Sequence, residues 1–127
     1  MPRGAYNDPQ YTVNMGENIN LPAVAAEAVS GKFVAFAATR IKSIRGVVVV
    51  AGTNGTAGYS VLNGSTVVGA LVCGSSAAGV KVSGSVTAAN AVMAAGDVLD
   101  FKTTANGATM AAAVVVEYEI MPMAEVS

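Results

Sequence analysis

A chain of 127 residues with a net charge of −1, 12% charged residues and no histidine has the length of one domain and too little charge to steer it to nucleic acid or an anionic membrane surface. The charged fraction is about half the ~25% of ordinary soluble domains, which leaves neutral surface of the kind that partner subunits cover. Without histidine, every Ser-His-Asp or Cys-His catalytic arrangement and every histidine-based metal site is excluded.

Ala and Val carry most of the 53% hydrophobic content, with 6% aromatics and no Trp. That composition favours a tight core of small side chains over a large ligand cavity. The single cysteine, Cys73, lies in the apolar run 67–73 and has no histidine to activate it, so it reads as a small buried hydrophobe in a chain not built for an oxidising compartment. The first nine residues lack the apolar segment of a signal peptide. Residues 21–38 are interrupted by Glu27 and Lys32, and residues 111–116 fall short of the ~20 that a membrane span needs. A soluble protein is expected, with no membrane and no nucleic-acid partner.

Residues 1–15 are polar, carry Pro2 and Pro9, and include Tyr6 and Tyr11 without a supporting apolar period; they read as an extended N-terminal arm. A β-domain is expected over 16–122 and a short tail over 123–127. Residues 23–29 are open between a helix and a connection. Ser30-Gly31 breaks any helix there, and residues 32–37 alternate like a strand. Residues 40–46 mix charge with Ile41 and Ile44 three apart, and the four valines 47–50 read as a buried strand.

The stretch 52–58 is a turn-rich loop. Residues 59–62 and 65–68 flank Asn63-Gly64, a two-residue hairpin signature of type I′. After a glycine-rich loop at 74–79, residues 80–87 alternate, with Gly84 marking a bulge or bend. Residues 88–95 read as one helical turn or a connection.

The closing stretch is the most regular. Gly96-Asp97 forms a tight turn; Leu99, Phe101 and Thr103 share one strand face against Val98, Asp100 and Lys102; Asn106-Gly107 then reverses the chain. Val114, Val116, Tyr118 and Ile120 follow on one face of a last strand, against Val115, Glu117 and Glu119. This predicts a closing hairpin, and turn signals every ten residues or so predict an all-β sandwich, barrel or jelly roll.

The chemistry-bearing residues have structural readings. Glu117 and Glu119, ~7 Å apart along a strand, have the spacing to flank a glycosidic bond or hold Ca²⁺, but an alternating solvated face explains them without a cleft. Asp97 accepts backbone N–H groups in its turn. The glycines at 52, 55 and 58 lack the lysine and helix of a phosphate loop. No cofactor, metal or catalytic residue is expected.

The hairpin-rich centre, the run Ala94-Ala95-Gly96-Asp97-Val98-Leu99-Asp100 leading into a strand, the last strand ending Val116-Glu117-Tyr118-Glu119, and the low-charge Ala/Gly/Val/Thr composition together resemble the small capsid decoration, or cement, proteins of tailed bacteriophages. The resemblance implies a jelly-roll-like β-sandwich, present as a dimer or trimer on the outer surface of the virion. There it binds the major capsid protein and clamps neighbouring subunits without covalent chemistry, mass action favouring the mature lattice. In that setting Arg3, Tyr6, Asn7 and Tyr11 of the arm are the candidate capsid contacts. The alternative is a head-fibre or tail-associated module whose loops bind host glycans, with Asn54 and Tyr59 as the sugar site.

Overall fold

In the computed structural model, which describes residues 13–105 and 109–121, ten strands pair antiparallel into two five-stranded sheets. The first sheet has the order β1 (Val13–Leu21), β10 (Ala111–Ile120), β3 (Thr39–Val50), β6 (Lys81–Ser83), with β8 (Val92–Met93) also on β3. The second has the order β2 (Val29–Val34), β9 (Val98–Thr103), β4 (Gly58–Asn63), β5 (Thr66–Val72), β7 (Ser85–Val86). The expected all-β class holds, and no α-helix occurs among the described residues.

Both sheets contribute to one apolar core. β10 buries Ala112, Val114, Val116 and Tyr118 on its inner face, and β9 buries Leu99, Phe101 and Thr103. Phe33 of β2 meets Tyr118 of β10 across the sheets, ring centroids 5.0 Å apart and tilted by 51°, a geometry that adds to the burial of both rings.

The predicted closing hairpin does not exist as a pair. β9 lies between β2 and β4, whereas β10 lies between β1 and β3 in the other sheet. The faces of both strands are as the sequence predicts; alternation dictates which side chains point inward but not which strand is the neighbour. The reversal assigned to Asn106-Gly107 lies outside the described residues.

β3 shows why periodicity alone misleads. Ser43 pairs with Glu117 and Ile41 with the next residue, Tyr118, so Lys42 is an extra, bulged residue. Residues three apart on a strand face opposite ways, and the bulge restores the phase so that Ile41 and Ile44 are both buried. The four valines are not a buried strand: Val48 is 1% exposed, whereas Val47, Val49 and Val50 are 37%, 53% and 47% exposed.

Residues 23–29 are not helical; a turn at Ala26-Glu27, with Glu27 at φ 56°, leads into β2. Ser30 and Gly31 lie inside β2, where a register shift takes up one residue. Val13, Asn14 and Met15, assigned to the arm, are the first residues of β1, paired with Ile120, Glu119 and Tyr118.

The β4–β5 hairpin forms as expected but with a different turn. Asn63 pairs with Thr66, and the positive φ falls on Gly64 at 64°, the first of two loop residues. That is the requirement of a II′ turn rather than of I′. Gly84 is a bend, as expected: β6 before it pairs with β3 in the first sheet, and β7 after it pairs with β5 in the second. Its N–H donates to the Ile44 carbonyl at 2.7 Å, and a Cβ there would stand 2.7 Å from the Ala70 carbonyl oxygen. Residues 88–90 form a 3-10 turn.

The valine run gives a direct test. Val48→Ala should cost about 2 kcal/mol, at roughly 0.8 per buried methylene plus a cavity contribution, whereas Val49→Ala should stay within about 0.5 kcal/mol. Urea titration of the two variants checks this.

Candidate functional site

Among the described residues, three ion pairs span neighbouring strands on the outer faces. On the first sheet Arg45 of β3 bonds Glu117 of β10 at 2.8 Å, and Arg40 bonds Glu119 at 3.1 Å. Ser43 donates its hydroxyl to Glu117. That hydroxyl above all, with the Arg45 guanidinium helping, holds the Glu117 carboxyl below the usual carboxylate range, against an opposing desolvation that outranks each contribution of Arg45. On the second sheet Lys32 bonds Asp100 at 2.9 Å. Asp97 accepts the Ala94 N–H at 2.9 Å and the Asn63 side-chain amide at 3.2 Å, the turn role expected of it. No group of three carboxylates or thiols that could hold a metal ion occurs among the described residues.

Asn54 and Tyr59, the candidate sugar site, do not form one. The Asn54 side-chain oxygen Oδ1 accepts the backbone N–H and the hydroxyl of Thr56 at 2.9 and 2.8 Å, closing its own loop. Tyr59 is 1% exposed, its ring packed in the core, so it has no face to offer a sugar. The parity it shares with Val61 in β4, also fully buried, is the sequence signal for this.

The Tyr59 hydroxyl has no hydrogen-bond partner among the described residues, and the neighbouring Ser30 donates its own hydroxyl to the Pro22 carbonyl at 2.7 Å. Burial, and next the nearby Cys73 thiol, push the Tyr59 phenol up to about 12. Burial likewise raises the Cys73 thiol. A thiol held in its neutral form inside the core is a packing group, as the sequence suggests.

Two outer features are left. The first is an open trough of ≈ 690 Å³ running across β1, β10, β3 and β6 of the first sheet, with Asn18, Asn20, Arg45, Lys81 and Val115 among its lining. It has no aromatic ring for a sugar to stack on. The second is an apolar area on the outer face of the second sheet. Val34, 57% exposed, lies opposite Val98; Leu62 lies opposite Val67, 50% exposed; and Phe36, just past the end of β2, is 62% exposed. The Lys32–Asp100 ion pair lies in the same row as Leu62 and Val67.

Sequence reasoning missed Val34 and Phe36. Residues 32–37 alternate, but with Phe33 and Ala35 as apolar as Val34 and Phe36, the pattern does not say which pair faces the core. The candidate capsid contacts Arg3, Tyr6, Asn7 and Tyr11 lie outside the described residues.

No family model, curated protein or solved structure matches the chain.

The core assignment of Tyr59 predicts a pH response. Its phenol is raised above the ordinary value of 10.0, so the fold favours the neutral form. The associated stability is fully present below pH ~10 and is lost as pH rises towards ~12. Tyr59→Phe should leave stability at pH 7 unchanged or raise it by up to about 1 kcal/mol, since the lost hydroxyl is unpaired, and should reduce alkaline unfolding. Thermal denaturation of both proteins across that pH range measures it.

Proposed function

We propose that this chain is a non-enzymatic structural protein of a virion, bound to the outside of a tailed-phage capsid, where it cements neighbouring major capsid subunits. The observation that carries the reading is the apolar outer face of the second sheet, where Phe36 and Val34 are more than half exposed on a domain whose core is already complete without them. A large aromatic left in solvent beside aliphatic neighbours, with an ion pair at its margin, has the composition of an interface centre with a polar rim.

The strand order supports a jelly roll as the scaffold. β1 pairs with β10, β2 with β9, β3 with β6 and β4 with β5, the nesting of one long antiparallel hairpin rolled into two sheets, an architecture that viral capsid domains use. Low charge fits a protein held by neighbours: with 12% charged residues, and those of the outer faces largely paired, little desolvation opposes docking. In the arm, Arg3, Tyr6, Asn7 and Tyr11 supply aromatic area and hydrogen-bond donors for a second contact. Added contacts across subunit joints stabilise the assembled shell by mass action and require no reaction.

Co-sedimentation with capsids that lack the protein tests this. Phe36→Ser should weaken attachment at least about tenfold, or 1.4 kcal/mol, without lowering the melting temperature. Removal of residues 1–12 should weaken it further. Unchanged attachment of the Phe36 variant would remove this face from the contact, and failure of the intact protein to bind would end the capsid reading.

A further inference from the structure

The edges of the two sheets are treated unequally. In the first sheet, one edge is shared by β6 and β8, of three and two residues. In the second sheet, β7 has two residues, and β2 carries a register shift at Ser30 and the charged Lys32. Short strands, bulges and edge lysines are the devices by which proteins prevent a free edge from pairing with another chain. β1 has none of these three; its one guard is Glu17, which pairs with the buried Val116 and so lies on the inward-facing side of the strand. It is nine residues long, its register with β10 is unbroken from Val13 to Leu21, and Glu17 is its only charged residue.

Residues 13–18 of that edge are exposed, among them Val13 at 50% and Met15 at 43% on the inward-facing side of the strand. Towards its end the strand meets β2, where Gly31 lies against the Leu21 and Ile19 side chains. The open edge is therefore the first two thirds of β1, with backbone N–H and C=O groups that another strand would satisfy.

We propose that this edge pairs antiparallel with β1 of a second copy, about a two-fold axis at Gly16, joining the first sheets of two copies into one continuous sheet. A two-fold axis normal to the sheet maps β1 onto itself in the antiparallel sense and keeps inward residues inward, so the contact is self-complementary and closes at two copies. The sequence selects the register. Centring on Glu17 sets two carboxylates directly opposite, which is destabilising. Centring on Gly16 sets Asn14 opposite Asn18, whose side-chain amides each both donate and accept, sets Met15 opposite Glu17 so that the two carboxylates are not directly opposed, and at the limit of the open edge sets the exposed Val13 opposite the half-buried Ile19. The smallest residue then stands against its own copy on the axis. This dimer is independent of the capsid reading, since it uses the first sheet's edge and not the second sheet's face.

Analytical ultracentrifugation over a dilution series, with circular dichroism to verify folding, tests the pairing and its register together. The intact protein should sediment at twice the monomer mass. Asn14→Lys combined with Asn18→Lys sets lysine opposite lysine at both pairs across the axis and should weaken the dimer at least tenfold. Asn14→Lys combined with Asn18→Glu sets lysine opposite glutamate and should keep it. A monomeric intact protein, a dimer indifferent to the paired lysines, or loss of the dimer in both variants would each overturn the proposal.

Discussion

The packing of one sheet's inner face on the other, with Phe33 against Tyr118, constrains everything else in this molecule. A sheet of small residues buries enough apolar surface only if nearly every inward position is filled and kept in phase. The bulge at Lys42 keeps Ile41 and Ile44 both inward. The bend at Gly84 lets a single run of chain serve both sheets, with a backbone approach that leaves no room for a side chain. β9 and β10 close the core from opposite sides, which is why the chain crosses between the sheets after Thr103.

A core filled in this way has functional consequences. Four of the six described carboxylates, Asp97, Asp100, Glu117 and Glu119, are engaged by cations, hydroxyls or backbone N–H groups of their own neighbourhood. Tyr59 of β4 and Cys73, just past the end of β5, are buried with their neutral forms favoured. What the molecule presents to others is therefore surface: exposed valines on both sheets, joined by Phe36 at the second, and a long strand edge on the first. These are separate features, so one domain has the means to join its own copy and a larger assembly at once.

Much of this is legible in the sequence where the signal is local. The β4–β5 hairpin follows from Asn63-Gly64 between alternating runs, the bend from Gly84, and the inward residues of β9 and β10 from their parity. Non-local pairing is not legible, because any two alternating strands satisfy the same pattern; the supposed hairpin of β9 with β10 fails for that reason. The valines 47–50 and the pair Val34 and Phe36 fail for a related one: where both faces of a strand are apolar, composition carries no direction, and only the packing partner decides. The surface that the capsid reading depends on was hidden in this way, whereas Tyr59 was readable as a core residue from Val61 two positions on.

Electron cryomicroscopy of virions carrying this protein tests the central claim most directly. Density for the domain is expected on the outer surface of the head, bridging adjacent major capsid subunits, with the face bearing Val34 and Phe36 turned towards them. Density confined to the tail or the head interior, or a head surface bare of it, would contradict the reading.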